Sequence, residues 1–200
     1  MTVDESAERV RLVEIVRETG WLVDALKAAR EVEAPDWAIG AGAVRMAVWD
    51  RLHGFTNESL PTDVDLAFFD PRDFRRERDA EVTAELHELT PNLPWEATNQ
   101  AAVHTWFHEV YGEHVAPLRS TFEAVGTWPE TATSVALRLR DDETIEVIAP
   151  HGLGDLLGMI HRRNPTRVSV AEYNRRLESK RISERWPQAR IVETSEPPAE

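Results

Sequence analysis

Hydrophobic and polar positions alternate between helical and strand periods along the chain, and each change of period marks an element. Residues 6–30 read as helix, with Val10, Val13, Leu22, Val23 and Leu26 on the face expected to be buried. Thr19-Gly20 divides that helix, since glycine is a common terminator. Pro35 marks a turn, and Trp37-Ala38-Ile39 reads as a short buried strand. From Ala43, the residues Val44, Ala47, Val48 and Leu52 recur at helical spacing until Gly54 closes the element. A polar loop over 55–61 leads into a strand over 64–69.

Residues 73–89 predict a highly charged helix with a solvated face, and Pro91 and Pro94 bracket the next turn. A strand over 95–98 follows, with Asn99 placed to cap a helix. In that helix Val103, Trp106, Phe107, Val110 and Tyr111 fall at i, i+3, i+4, i+7 and i+8, which predicts one apolar face. A short helix near 120–125 precedes Trp128-Pro129. Val135, Leu137 and Leu139, then Ile145, Val147 and Ala149, alternate with their neighbours on either side of Asp141-Asp142 and predict a β-hairpin. Leu153, Leu156, Leu157 and Ile160 stripe a helix expected to run to Asn164-Pro165. Ser169-Val170-Ala171-Glu172 forms a capping box opening a last helix to about residue 184. The interleaving of helices with strands that include a hairpin predicts an α/β (α+β) chain: a mixed β-sheet with packed helices. The organisation expected is N-terminal helices over 1–34, a main domain over 35–190 and a disordered acidic tail over 191–200.

Two features of this pattern carry chemistry. The run Trp37-Ala38-Ile39-Gly40-Ala41-Gly42-Ala43-Val44-Arg45 is a strand turning through glycines into a helix, a place where phosphate meets backbone N–H groups. Downstream, Thr62-Asp63-Val64-Asp65-Leu66 puts two carboxylates on the same face of a strand. Folding does not need two repelling carboxylates there, whereas a hard divalent cation with substrate phosphates would use both. The dinucleotide-binding glycine fingerprint is incomplete, and no P-loop is present.

Composition narrows the choice of partner. Lys and Arg total 23 against 36 Asp and Glu, a net charge of −13, which disfavours steering of nucleic acid onto the surface apart from a tRNA end at a local basic patch. Cysteine is absent, which excludes disulfides, a thiolate nucleophile and a cysteine zinc site. No apolar run approaches the roughly 20 residues of a membrane span, and the N-terminus lacks a basic signal start, so a cytoplasmic location without membrane contact is expected. The sequence is silent on oligomeric state.

The glycine turn before a helix, the Asp63-Val64-Asp65 strand and the later strand with a third acid together resemble the polymerase-beta-type nucleotidyltransferase superfamily. The fuller set, with Trp95-Glu96-Ala97-Thr98-Asn99-Gln100-Ala101-Ala102-Val103-His104, Trp128-Pro129-Glu130-Thr131-Ala132-Thr133 and Ala149-Pro150-His151-Gly152-Leu153-Gly154-Asp155-Leu156, is similar to a bacterial family of nucleotidyltransferase-like proteins. The resemblance spans about residues 35–190. It implies a nucleotidyltransferase fold and transfer of a nucleoside monophosphate from an NTP to an acceptor, with a small molecule favoured. It also implies that Asp63, Asp65 and Glu96 are the catalytic acids and the ligands of Mg2+ or Mn2+. Gly40 and Gly42 would cradle the triphosphate, and Arg45 would neutralise a phosphate. The turn departs from the superfamily's usual Gly-Ser or Gly-Gly, and the longer interval to Asp63 implies an enlarged loop over 54–62. Two other roles fit the same residues: a nucleotide-binding regulatory module without turnover, and the transferase component of a toxin–antitoxin pair.

Several residues have two readings at this level. Glu146 also sits on a strand and competes with Glu96 as third acid. Asn99 and Gln100, at a helix start after the Glu96 strand, are placed to reach a nucleotide, although Asn99 equally fits an N-cap. Asp70 reads as a loop or capping residue. His104 and His108 share a helix face but lack the acid that completes a zinc motif. Trp49, Trp106 and Phe107 read as core rather than as base-stacking residues. Arg162, Arg163, Arg167, Arg175, Arg176, Lys180 and Arg181 give the C-terminal part a basic bias, either a solvated face or a lid over an anionic ligand.

Overall fold

A computed structural model describes residues 3–56 and 60–194. In chain order the first half comprises α1 (Val3–Glu18), α2 (Gly20–Glu31), β1 (Ala38–Gly40), α3 (Ala41–Leu52), β2 (Val64–Phe68), α4 (Glu77–Leu89), β3 (Trp95–Asn99) and α5 (Val103–Tyr111). The second half comprises α6 (Thr121–Val125), β4 (Ala136–Leu139), β5 (Ile145–Ile148), α7 (Gly154–Leu157), β6 (Ile160–His161), α8 (Val170–Lys180), α9 (Ile182–Arg185) and β7 (Arg190–Ile191). Five strands form one sheet in the order β3-β2-β1-β4-β5, and β6 pairs with β7. β1 is antiparallel to both β2 and β4, β4 and β5 make the expected hairpin, and β2 runs parallel to β3. The sheet is therefore mixed, as the interleaved pattern predicted.

Alternation along each strand sorts the two faces. Ile39, Leu66, Phe68, Val64, Trp95 and Leu137 join the main core with residues of α1, α2, α3 and α4. The other face carries small residues where the strands meet: Ala38 pairs with Ala67, and Gly40 with Ala136. That face keeps only a small cluster of Ala38, Val125, Ala136 and Ile148, with Trp128 against it. A floor of glycine and alanine leaves room above it, and the candidate site occupies that room.

The structure alters several local expectations. In α1 the buried face is Leu12, Ile15 and Val16, while Val10 is exposed. The stripe Leu153, Leu156, Leu157, Ile160 is not one helix: α7 ends at Gly158, Met159 adopts a left-handed φ of 51°, and Ile160 enters β6. The last helix is interrupted at Arg181 (φ 47°), so α8 and α9 are separate. Asn99 ends β3, and the residue capping α5 is Ala102. β7 (Arg190–Ile191) ends on the first residue of the expected tail, and residues 195–200 of that tail lie outside the described residues. Residues 57–59 of the expected loop lie outside them as well.

Candidate active site

Strand register assembles the site. In the β1–β2 pairing Ile39 lies opposite Leu66, so continuing the antiparallel register brings Gly40 level with Asp65. In the parallel β2–β3 pairing Asp65 lies directly beside Glu96. The end of β1 and the starts of β2 and β3 thus meet in one row, and residues adjacent in a parallel register share a face. Asp63, one residue before β2, falls on that face by alternation. Asp63, Asp65 and Glu96 line one cavity of about 380 Å³ together with Gly42 and Arg45. Glu146 is three strands away on β5, where it pairs with Arg138 and Arg140. The sheet order therefore places Glu96, and not Glu146, beside the Asp pair.

Among the described residues none of the three acids makes an ion pair; Asp63 accepts one hydrogen bond, from Thr62 Oγ1 at 3.2 Å. Burial, then the charges of Asp63 and Glu96, push the Asp65 carboxyl up to about 7, against the opposing pull of Lys180 and Arg176. The cluster is short of positive charge, as a cation-binding oxygen site is before its ion arrives. No three His, Cys, Asp or Glu side chains among the described residues close on a single point tightly enough to cage a metal. Mg2+ does not require such a cage, because it is held by one or two carboxylates with waters and substrate phosphates completing the shell. The all-oxygen donor set fits that ion.

Across the cavity stands a buried cationic group. Glu130, 1% exposed, accepts a 2.7 Å hydrogen bond from Arg176 Nε and another from Thr133 Oγ1 at 3.0 Å, while Arg45 Nη1 lies 3.9 Å away. Burial alone would raise the Glu130 carboxyl, but the Arg176 hydrogen bond and charge, His161 and Arg45 together hold it below its usual range. Two guanidinium groups share this single carboxylate. Arg45 is 6% exposed, its guanidinium lies 5.5 and 5.3 Å from the ring centres of Trp49 and Trp186, and its Nε has no hydrogen-bond partner. Burial lowers the Arg45 pKa, the Glu130 charge opposing that shift. A buried guanidinium that lines a cavity adds positive charge to its wall and suits an anionic ligand. Lys180, one turn along α8 from Arg176, lines the same cavity.

The glycine turn divides its labour. A Cβ on Gly40 would lie 2.5 Å from Trp128 Cζ3 and 2.7 Å from the Val135 carbonyl, so Gly40 exists to seat the indole. A Cβ on Gly42 would meet only Asp63 Oδ1, at 3.9 Å, so Gly42 faces the open cavity. Between them Ala41 takes a left-handed φ of 55°, backbone strain of the kind that collects at functional turns. α3 starts with no side-chain cap on its first-turn amides.

Of the remaining expected residues, Gln100 lines the cavity and Asn99 does not. Asn99 is fully buried: its Oδ1 accepts from the amides of Asp70 and Ala101, and its Nδ2 donates to the carbonyls of Asp70 and Asp73. It staples β3 to the chain after β2. Asp70 accepts from the Arg72 amide and pairs with its guanidinium, a loop role. Trp49 is core, donating to the Leu156 carbonyl, whereas Trp106 and Phe107 are only half-buried and line a second cavity. The basic segment splits: Arg176 and Lys180 reach the acid cavity, Arg167 and Arg175 the second, and Arg162 pairs with Asp155 away from both. Sequence reasoning missed Glu130 and Thr98 as wall residues. Glu130 sits in the Trp128-Pro129-Glu130 phrase, but only the fold reveals that Asn164 pins this loop by donating to the Gly126 and Trp128 carbonyls.

The family model described as nucleotidyltransferase matches residues 27–191. Among solved structures, an NMR structure described as a CCA-adding enzyme head domain is 29% identical, covers 92% of this chain and 95% of that one, and superposes with a TM-score of 0.77. A Thermotoga maritima CCA-adding enzyme complexed with tRNA is 17% identical over 92% of this chain and 42% of its own, with a TM-score of 0.55. A CCA-adding enzyme with CTP is 16% identical over 91% of this chain and 43% of its own, also with a TM-score of 0.55. The chain spans less than half the length of either enzyme, and at those identities the likeness is one of fold. No curated protein matches the chain.

Proposed function

Because the chain belongs to the nucleotidyltransferase family, we propose that it moves a nucleoside monophosphate from an NTP to a hydroxyl, or similar group, of a small-molecule acceptor. The observation that carries this is the single cavity in which Asp63, Asp65 and Glu96 face Gly42, Arg45 and Arg176. Asp63 and Asp65, with Glu96, would hold Mg2+ or Mn2+; when bound, the ion supplies charge neutralisation along the phosphates. Gly42, lacking a side chain, lets the triphosphate approach the uncapped start of α3. Arg45 and Arg176, whose side chains line the cavity, orient the β- and γ-phosphates. The acceptor oxygen attacks the α-phosphorus, a new P–O bond forms, the α–β anhydride bond breaks, and pyrophosphate departs beside the arginines. Glu96, the exposed member of the trio, takes the acceptor proton.

A small acceptor agrees with a net charge of −13 and with a cavity of limited size. The left-handed, hydroxyl-free Ala41 favours a second reading, in which the site binds nucleotide without turnover. Incubation with labelled NTPs, Mg2+ and an acceptor library, including tRNA, separates the two. Pyrophosphate release by the wild type that is lost in Asp63→Ala and Asp65→Ala supports transfer. NTP binding without release under every acceptor supports the binding module, and absence of NTP binding refutes both.

A further inference from the structure

Beside the acid cavity lies a second of about 380 Å³. The two share Thr98, Gln100, Tyr111, Trp128, Pro129 and Arg176, so they are halves of one cleft. The halves differ in chemistry. Both carry charged side chains, but only the second is also walled by the apolar stripe of α5, namely Val103, Trp106, Phe107 and Tyr111.

The sequence reads Trp106 and Phe107 as core, yet on α5 only Val103 is buried, and Tyr111 is 58% exposed. Phe107 and Tyr111 lie 4.5 Å apart between ring centres, and Trp106 and Phe107 lie 6.4 Å apart, which makes a continuous aromatic wall. Trp128, seated against Gly40, stands where the halves join. The Arg167 guanidinium lies 5.6 Å from the Phe107 ring centre and makes no hydrogen bond or ion pair with another described residue. Water is a poor occupant of an aromatic-walled cleft, and an aliphatic chain would leave the Arg167 donors idle. A flat ring with hydrogen-bond acceptors at its edge satisfies both.

We propose that this half of the cleft binds a nucleobase, stacked on the α5 aromatics, with Arg167 available to its polar edge. The inference rests on the nucleotidyl-transfer reading and adds a ring-recognition subsite to it. The base has two sources, the incoming NTP itself or a nucleotide acceptor, and the chemistry of recognition is the same for both.

The test uses the full chain with Mg2+, titrated calorimetrically with tripolyphosphate, ATP, CTP and AMP, for wild type, Tyr111→Ala and Trp106→Leu. Both positions are at least partly exposed, and circular dichroism checks that each variant folds. Aromatic stacking is worth a factor of roughly 5 to 150 in affinity per base. If the base belongs to the NTP, both variants weaken ATP and CTP by such a factor and leave tripolyphosphate unchanged. If it belongs to an acceptor, AMP binding weakens instead while the NTPs are unaffected. Failure of wild type to bind tripolyphosphate or NTP overturns the transfer reading, and the AMP arm still reads the ring subsite. Affinities for ATP, CTP and AMP that neither variant changes overturn the proposal.

Discussion

Removing the charge of Glu130 is the sharpest test of how the cavity wall is built. Glu130→Gln keeps the shape of the side chain but sets an amide NH2 or a weaker carbonyl acceptor against Arg176 Nε, which now donates at 2.7 Å, and against Arg45 at 3.9 Å. Arg45 is 6% exposed, so it cannot turn to water for its lost counter-charge. Breaking a buried ion pair by removing one partner costs about 3–5 kcal/mol, because the surviving charge stays buried and unpaired. For a domain of this size each kcal/mol lowers Tm by about 2–4 °C, so the expected fall is about 6–20 °C. Thermal and urea unfolding followed by circular dichroism measure it. Arg45→Met in the Glu130→Gln background removes the stranded cation and recovers most of the loss, since replacing both partners by neutral groups is close to neutral. A Glu130→Gln variant within about 1 kcal/mol of wild type, or a double variant no better than the single, would falsify the account of a buried, charge-sharing triad.

Other perturbations address separate parts of the structure. Gly40→Ala drives a methyl group into Trp128 and the Val135 carbonyl, so unfolding experiments should find a loss of about 1–3 kcal/mol; unchanged stability would mean the indole is free to move. Gly42→Ala has only an ordinary contact ahead of it and should fold at least as stably as wild type, while calorimetry with tripolyphosphate shows weaker binding if phosphate approaches there. His161, buried with its Nδ1 3.1 Å from the Tyr173 hydroxyl, is held neutral by burial, its pKa falling to about 4. The unfolded chain therefore binds a proton that the folded chain refuses, and stability is lost as pH falls from about 6.5 to about 4, by about 3–4 kcal/mol in all. His161→Phe should flatten that part of the stability–pH curve, and a curve of unchanged slope counts against a neutral buried imidazole.

Much of the fold was legible because it depends on local periodicity. Period-two runs at 64–68 and in the β4–β5 hairpin, and the Ser169 capping box, whose Oγ accepts from the Glu172 amide, are decided by neighbours a few residues away. Where a local pattern fits two structures, it misled. The spacing of Leu153, Leu156, Leu157 and Ile160 is helical, but a left-handed Met159 and the pairing of Ile160 with Arg190 make the last of them a strand residue. The α5 stripe has a helix's apolar period whether it faces a core or an open cleft, and only the packing around it tells which.

For the site, the sequence by itself determined that Asp63 and Asp65 share a face and that a glycine turn precedes a helix. Those are consequences of strand alternation and backbone geometry, which need no distant contact. Tertiary structure alone decided the rest. Parallel pairing of β2 with β3 sets Glu96, and not Glu146, beside Asp65. Gly40 serves an indole 88 residues away in sequence, at Trp128, rather than the cavity. Glu130 joins Arg45 to Arg176 because a loop, a helix on α3 and a helix on α8 converge around one buried charge. A carboxylate that will be buried between two arginines looks, along the chain, like any other glutamate; the distinction arises from desolvation, and desolvation exists only once the chain has closed around it.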